Sequence, residues 1–172
     1  MLPLLAAAGG FLRPWPDPDH PATKGASMPV RVLALSGSLR AESLNQKLVT
    51  HAASLAKGHG AEVTVISLRD FDLPLFSEDI EKSPGTPADA LRLKDLLKSH
   101  DAFLIACPEY NSSITPALKN AIDWASRPRP GEKPLECFAG KVVGLCATSP
   151  GALGGLRGLY HVREILMNIM AR

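Results

Sequence analysis

A group of polar residues lies directly after the first apolar run of the chain, just before a helical pattern begins. Residues 36–45 bring hydroxyl, guanidinium and carboxamide groups into one short loop. Serine hydroxyls donate hydrogen bonds to phosphate oxygens, and a guanidinium can hold a phosphate through two N–H groups at once. The N-terminus of a helix adds unpaired backbone N–H groups and a partial positive charge. We therefore predict a phosphate-binding loop with these members: Ser36, Ser38, Arg40, Ser43, Leu44 and Asn45.

The same loop has a simpler interpretation, in which Ser43 only caps the helix and Arg40 is solvated. The crowding of five polar donors into one turn favours the phosphate site. Three other phosphate loops are excluded by the sequence. It contains neither GxxxxGK[ST], which marks a P-loop, nor GxGxxG, which marks a dinucleotide fingerprint. The loop has no cysteine, so it is not the site of a cysteine-nucleophile phosphatase.

Two further loops have unusual compositions. Residues 108–113 place proline, tyrosine and asparagine side by side, which offers a flat apolar surface with amide groups nearby. Such a surface suits a planar heterocycle with a polar edge. Residues 149–155 are rich in glycine, so their backbone can approach a ligand closely. Each of these two loops is also compatible with an ordinary turn.

These loops are positioned by strands and helices that alternate along the chain. Four apolar runs predict buried parallel strands: residues 30–35, 62–66, 102–107 and 141–147. Four helical patterns follow them: residues 43–58, with Ser43 and Gln46 as a capping box, then 86–99, 115–125 and 156–169. The order βαβαβαβα predicts a doubly wound α/β sheet covered by helices on both faces, in three layers. Ligands bind such sheets beyond the carboxyl ends of the strands, where the three loops would meet.

The composition is that of one globular domain. The chain has 172 residues, of which 45% are apolar and 21% charged, and its net charge of +2 gives no argument for nucleic acid or an anionic membrane. No apolar run approaches the roughly 20 residues that span a bilayer. The three cysteines, Cys107, Cys137 and Cys146, form no CxxC pair and are expected to be small buried hydrophobes in a reducing compartment, which predicts the cytoplasm. The histidines show no metal-ligand spacing, so no metal site is predicted.

The first 27 residues are expected to stand apart from this domain. Residues 13–27 contain four prolines and no hydrophobic periodicity, and residues 1–12 lack the positive start of a signal peptide. We predict a disordered extension over 1–27 and a domain over 28–172, and Met28 is a candidate start of the natural protein.

Four motifs, in one order and at fixed spacings, resemble the NADPH-dependent FMN reductase family. They are GSLRxxSxN at residues 37–45, PEYN at 108–111, LKNAIDW at 118–124 and GG-x-R-x-x-Y-x-x-R-x-I at 154–165. Each motif is modest evidence alone, but the similarity extends from residue 28 to about residue 170. The resemblance implies a flavodoxin-like fold with strand order 2-1-3-4-5 and bound FMN. It also implies hydride transfer from NAD(P)H to the flavin, followed by reduction of quinones or other small acceptors.

The resemblance also assigns roles to residues. The phosphate would be held by the loop members named above, and the isoalloxazine would be flanked by Pro108, Glu109, Tyr110 and Asn111. Ser149 and Gly151 would close its far side. No catalytic acid or base is expected, because hydride transfer to a flavin needs no protein base, so Glu109 is interpreted as a positioning or structural residue. The family forms dimers and tetramers, which makes Arg157, Tyr160 and His161 interface candidates.

One feature departs from the family pattern. Family members continue with a fifth strand and a final helix, whereas this sequence stops at Arg172, so the expected order here is 2-1-3-4 with the fifth strand missing. Two alternatives to a reductase therefore stay open: an FMN-binding, redox-responsive protein that docks a partner, and an inactive fragment of a reductase. The sequence leaves open the electron acceptor and the choice between NADPH and NADH.

Overall fold

The computed structural model describes residues 28–172, and the predictions for residues 1–27 lie outside this range. Four parallel strands form one sheet in the order β2-β1-β3-β4. Their bounds are β1 (Arg31–Ser36), β2 (Glu62–Ser67), β3 (Ala102–Ala106) and β4 (Val142–Cys146). The predicted parallel α/β sheet and its strand order are confirmed.

Helices connect the strands in the predicted places. They are α1 (Leu44–Gly58), α2 (Glu78–Lys82), α3 (Ala88–Ser99), α4 (Pro116–Ser126) and α5 (Leu156–Asn168), with a 3₁₀ turn at Leu68–Asp70. The short helix α2 was not predicted, because five residues are too few to show a helical period. Its N-terminus is capped by Ser77, whose hydroxyl accepts a hydrogen bond from the backbone N–H of Asp79 at 3.2 Å.

The two faces of the sheet carry separate cores, since successive residues of a strand point to opposite sides. Leu33 of β1 and Phe103 of β3 face the side on which α3, α4 and α5 pack. Val32 and Ala34 face the other side, where they meet Val49 of α1. Three helices therefore cover one face and α1 covers the other, which gives the three layers expected from the sequence.

The strand β4 lies at one edge of the sheet. Its inner edge pairs with β3, and on its outer side the backbone N–H of Val143 donates to the carbonyl oxygen of Arg172 at 2.7 Å. The backbone N–H of Arg172 donates in turn to the carbonyl oxygen of Lys141 at 2.8 Å. This is the bonding pattern of a parallel pair, so Arg172 takes the first position beside β4.

Two negative findings concern residues 28–172. None of the helices in this range is both long and apolar enough to cross a lipid bilayer. Within the same range, no three side chains of His, Cys, Asp or Glu are grouped so that they could hold a metal ion.

Candidate functional site

A cleft opens at the carboxyl ends of the strands, where the loops after β1, β3 and β4 meet. These loops come together because β3 lies between β1 and β4 and all three strands run parallel. We call it the strand-end cleft, and its lining consists of Ser38, Arg40, Ser43, Leu44, Asn45, Pro108, Glu109, Tyr110, Thr148, Ser149 and Pro150. Nine of the predicted site residues are among these. The other three, Ser36, Asn111 and Gly151, lie outside the lining.

The loop after β1 is held in place by a close approach to α4. The backbone N–H of Gly37 donates to the carbonyl oxygen of Ala106 at 2.9 Å. A Cβ atom on Gly37 would lie 2.8 Å from the Cβ atom of Leu118, so any larger residue would push the loop away from α4. Thr115, which caps α4 through the N–H of Leu118, also donates its hydroxyl to the carbonyl oxygen of Gly37. The loop after β1 is thus fixed against the start of α4.

Three buried hydroxyls in this loop each accept one hydrogen bond but donate none within residues 28–172. The oxygen of Ser36 accepts from the N–H of Ser38, that of Ser38 from Arg40, and that of Ser43 from Gln46, at 3.3, 3.2 and 3.1 Å. The serines are 0%, 4% and 4% exposed. None of their hydroxyl protons has an acceptor among residues 28–172. Buried donors without acceptors are unfavourable, so this loop is suited to a ligand that supplies several acceptor oxygens.

The start of α1 adds further donors to the same place. The backbone N–H groups of Leu44 and Asn45 have no acceptor in the described part of the chain, as is usual for the first turn of a helix. The guanidinium of Arg40 is exposed and makes no ion pair with any described residue. Hydroxyl, backbone and guanidinium donors therefore line the same end of the cleft, and this set of donors is the chemistry of an anion site.

The predicted capping box forms only in part. Ser43 caps α1 as expected, but the side chain of Gln46 does not return to the backbone of Ser43. Its Nε2 atom donates instead to the carbonyl oxygen of Ile66 at the end of β2, at 3.3 Å. Because α1 packs against β2, the side chain of Gln46 bonds to the end of that strand and not to its own helix N-terminus. Its Oε1 atom is buried without a donor among the described residues.

The side chain of Asn45 is turned toward the loop after β4. Its Nδ2 atom donates to the carbonyl oxygen of Thr148 at 2.9 Å, and its Oδ1 atom accepts from the N–H of Thr148 at 3.0 Å. Sequence reasoning missed Thr148 and Pro150 in the cleft. Their position directly after β4 was the available signal, because the carboxyl ends of parallel strands lie at the ligand-binding edge.

The loop after β3 is a tight turn buttressed by α5. Tyr110 and Ser113 pair through two backbone hydrogen bonds of 2.9 and 3.0 Å, and the two residues between them, Asn111 and Ser112, have φ values of 50° and 66°. The turn leaves Tyr110 half exposed at the cleft. It also carries Asn111 to the tip of the loop, which is why Asn111 does not line the cleft.

Glu109 is engaged by α5 on two sides. Its carboxylate accepts from the backbone N–H of Gly158 at 3.1 Å and from the guanidinium of Arg157 at 3.1–3.2 Å. The Gly158 bond, followed by the charge of Arg157, holds the pKa of Glu109 below its usual range. A carboxylate with a lowered pKa is a weak base, which agrees with its interpretation as a positioning residue.

The three interface candidates on α5 have different environments. Arg157 is bonded to Glu109, and the Nδ1 atom of His161 lies 3.0 Å from the hydroxyl of Ser113. Both side chains therefore support the turn after β3 within their own chain. Tyr160 is 58% exposed.

The loop after β4 requires a glycine before α5. Gly155 has a φ of 94°, and a Cβ atom there would lie 2.7 Å from the Cβ atom of Ala147. Within the same loop, the N–H of Gly151 donates to the hydroxyl of Ser149 at 3.2 Å. Ser149 lines the cleft, whereas Gly151 does not.

The three cysteines are unsuited to thiolate chemistry. Burial raises the pKa of the Cys107 thiol to about 12 and also raises the pKa of Cys137 and Cys146. Cys107 and Cys137 are buried as predicted, whereas Cys146 is only partly buried. The prediction for Cys146 was wrong because β4 is an edge strand.

Comparisons with known proteins identify the family of this chain. Residues 30–172 match the family model for NADPH-dependent FMN reductase. Over 139 residues, which are 80% of this chain and 70% of each relative, the sequence is 39% identical to an NAD(P)H-dependent FMN reductase of Pseudomonas aeruginosa and 38% identical to a quinone reductase of Escherichia coli. The structure is similar to FerB, a flavoenzyme NAD(P)H:(acceptor) oxidoreductase from Paracoccus denitrificans, with a TM-score of 0.70, 34% identity and coverage of 83% of this chain and 73% of that one. With a family match that spans the whole sheet and all three loops of the cleft, the chain belongs to the NADPH-dependent FMN reductase family.

Proposed function

We propose that this protein is an FMN-dependent NAD(P)H oxidoreductase that binds FMN in the strand-end cleft and reduces small acceptors. The observation that carries the proposal is the set of unpaired donors after β1. The hydroxyl protons of Ser38 and Ser43 and the first N–H groups of α1 lack acceptors in the described chain, and Arg40, which makes no ion pair there, lines the same cleft. A phosphate group supplies acceptors for this whole set.

The residues divide into a phosphate end and a ring end. Ser38, Ser43 and Arg40, with the N–H groups of Leu44 and Asn45, hold the phosphate. Ser36 fixes the backbone of Ser38, because the hydroxyl oxygen of Ser36 accepts a hydrogen bond from the N–H of Ser38. Because each serine oxygen already accepts from a backbone N–H, its proton is directed away from the backbone and is free for the ligand.

The ring end is formed by the other two loops. Pro108, Glu109 and Tyr110, with Asn111 at the tip of their turn, flank the isoalloxazine, and Ser149 and Gly151 belong to the loop that closes its far side. When bound, FMN supplies the redox chemistry by taking a hydride from NAD(P)H and passing electrons to an acceptor. The protein orients the ring and shields it from water. No side chain transfers a proton to it, and Glu109 stays ionised in its bonds to Gly158 and Arg157.

The acceptor class follows from the relatives. The names of the relatives in Escherichia coli and Paracoccus denitrificans give a quinone and a general acceptor as electron acceptors. We propose that quinones and similar small molecules are also the electron acceptors of this protein. We also propose that it forms a homo-oligomer through the surface around Tyr160, and that it works in the cytoplasm, in keeping with its three free cysteines.

The test begins with flavin titration of the purified protein. Arg40→Ala is expected to weaken FMN binding by about 1.5–3 kcal/mol, the range for hydrogen bonds to a charged group. Riboflavin, which has no phosphate, is expected to bind equally to the variant and the parent. Lys57→Ala, at the exposed far end of α1, is the matched control and should leave both affinities unchanged.

The activity is measured on the FMN-loaded protein. Under anaerobic conditions NADPH should bleach the flavin absorbance, and in steady state a quinone should sustain NADPH oxidation. A protein that binds FMN but does not turn over would support a partner-docking role instead. An Arg40→Ala variant that titrates with FMN like the parent would disprove the phosphate assignment.

A further inference from the structure

Apart from helix α5, into which it leads, the loop after β4 has one hydrogen-bonded anchor in the described chain, and that anchor is a side chain of α1. The other hydrogen bonds of residues 147–155 stay within the loop, from Gly151 to Ser149 and from Gly154 to Gly151, or join it to the first turn of α5, from Leu156 to Leu153 and from Leu159 to Gly155. The two bonds between Asn45 and the backbone of Thr148 are the exception. They join two segments that are 103 positions apart in sequence.

The geometry of this pair resembles one rung of a β-ladder. The carboxamide of Asn45 presents a donor and an acceptor in the same plane, and Thr148 offers a matching carbonyl and N–H from a single residue, at 2.9 and 3.0 Å. Asn45 is only 6% exposed, so both bonds are shielded from competing water. The pairing leaves one Nδ2 hydrogen without a partner among the described residues.

The pair connects the two ends of the strand-end cleft. Asn45 belongs to the first turn of α1, at the phosphate end, whereas Thr148 precedes Ser149 and Pro150 in the loop at the ring end. These segments follow β1 and β4, which are not neighbours in the sheet, so no ladder hydrogen bond links them. A change in the Asn45 side chain would therefore act on the ring end of the cleft.

We propose that Asn45 is a positioning residue that holds the loop after β4 against the flavin ring, rather than a side-chain ligand of the phosphate. The proposal rests on the FMN-binding function proposed above. It has a consequence that a phosphate ligand does not share: loss of the side chain should weaken FMN and riboflavin by the same factor, because the loop that it holds contacts the ring common to both.

The first test uses the protein without flavin. In Asn45→Ala the amide hydrogens of residues 147–154 should exchange faster than in the parent, while those of α1 beyond its first turn should not change. Arg40→Ala is the matched control, because Arg40 lies on the same loop but makes no bond to Thr148, and its exchange should equal that of the parent. Unchanged exchange in Asn45→Ala would overturn the proposal, whatever the flavin data show.

The second test compares the two flavins. Asn45→Ala should weaken FMN and riboflavin alike, by about tenfold, as expected for the loss of one or two neutral hydrogen bonds. Arg40→Ala should weaken FMN alone. A loss confined to FMN in Asn45→Ala would make Asn45 a phosphate ligand and end the proposal. Failure of the parent to bind either flavin would instead overturn the proposed function, while the exchange test would still decide the role of Asn45.

A conservative variant distinguishes loss of the bonds to Thr148 from misfolding of the protein. In Asn45→Asp the ionised carboxylate can accept from the N–H of Thr148 but opposes its carbonyl oxygen, whereas the protonated form can make both bonds. Riboflavin affinity at pH 7.5, where the carboxylate is ionised, should therefore fall in Asn45→Asp as it does in Asn45→Ala. The charged groups around this position are exposed or paired: Arg40 is exposed, Lys47 is paired with Glu42, and Glu109 with Arg157. An Asn45→Asp variant that binds riboflavin as tightly as the parent at pH 7.5 would contradict the positioning role.

Discussion

Glu109 shows how a carboxylate that lines the strand-end cleft can be structural. Its bonds to the N–H of Gly158 and to Arg157 keep it ionised and fix the start of the turn after β3. We expect Glu109→Gln to retain most of the rate of flavin reduction by saturating NADPH, measured by stopped flow. Glutamine can still accept from Gly158, and hydride transfer needs no proton from this position.

The matched variant for this prediction is Glu109→Ala. It removes the acceptor of the Gly158 N–H as well, so it should displace the turn and slow the reaction more than the glutamine variant does. A drop of about a thousandfold in Glu109→Gln itself, within the range for loss of a general acid or base, would show that the carboxylate transfers a proton.

Glu132 is the second informative residue, and its role is in stability. Its side chain is 9% exposed and pairs with the buried Lys94 at 2.7 Å and with Lys98 at 2.8 Å. Burial alone would raise the pKa of Glu132, but the hydrogen bonds from the two lysines outweigh it and hold the pKa at about 2. Because the pKa is lowered in the folded protein, this pairing makes its full contribution to stability at pH values above the usual pKa of 4.5. The contribution is lost as the pH falls toward 2.

This predicts the pH dependence of a variant. Glu132→Gln should lower the free energy of unfolding at pH 7 by about 2 kcal/mol, less than the roughly 3–5 kcal/mol of a fully broken buried pair, because glutamine still accepts from Lys94. Urea unfolding at pH 7 and pH 3 should show the gap to the parent narrowing in acid. The exposed Lys119–Asp123 pair supplies the control, since Asp123→Asn should change stability by less than about 0.5 kcal/mol. An equal gap for Glu132→Gln at both pH values would contradict the lowered pKa.

At the scale of elements, α4 explains the motif at residues 118–124. The side chain of Asn120 accepts from the N–H of Phe76 at 2.8 Å and donates to the carbonyl oxygens of Leu73 and Pro74 at 3.1 and 3.0 Å. The indole N–H of Trp124 also donates to the oxygen of Pro74, at 2.7 Å. The helix therefore fixes the irregular segment after β2, which has no strand or long helix to order it.

We expect Asn120→Ala to release that segment. The N–H of Phe76 and the carbonyl oxygen of Leu73 would lose their side-chain partner, whereas the oxygen of Pro74 keeps Trp124, which should lower the free energy of unfolding by about 2 kcal/mol. Limited proteolysis should then cut residues 71–77 faster than in the parent. Lys119→Ala, one position away on the exposed side of α4, should have little effect on either measurement. Cleavage elsewhere with no change at residues 71–77 would contradict the assignment.

Lys141 caps the end of α3, whereas the sequence predicts it as the first residue of a strand. The sequence predicted that the fourth strand begins at Lys141, but β4 begins at Val142. The Nζ atom of Lys141 instead donates to the carbonyl oxygens of Leu97, Lys98 and His100, so this lysine caps α3. The sequence alone does not show whether Lys141 belongs to the strand or caps a helix, because the carbonyl oxygens that it bonds lie in another part of the chain.

The whole molecule is asymmetric about its sheet. Three helices cover one face and α1 the other, and β4 pairs with only Arg172 along its outer edge in the described chain. Val142 is 60% exposed, and an apolar groove beside β4 is lined by Val143, Leu145, Leu166 and Met167. Unpaired strand edges beside apolar surface promote self-association.

We expect a chain extended beyond Arg172 by a β-branched strand and an amphipathic helix to be more stable. Arg172 already holds the parallel register, so the strand would continue along β4 and the helix would cover the exposed side chains. The melting temperature should rise by about 5 °C, which corresponds to about 2 kcal/mol in a domain of this length, and self-association measured by light scattering should fall. The control is the same extension with prolines in the strand, which cannot pair with β4. Equal melting of the two extended chains would contradict the prediction.

The sequence by itself determined the alternation of strands and helices, the ligand-binding edge and nine of the residues in the cleft. Hydrophobic period, glycines and helix caps are local properties, so they can be seen in the order of residues. The partners of long polar side chains are set by packing, and only the tertiary structure decided them. Asn45 bonds to Thr148, Gln46 leaves its predicted cap for Ile66, and Cys146 is partly exposed because β4 is an edge strand. Each of these outcomes depends on which segments of the chain become neighbours in the folded protein.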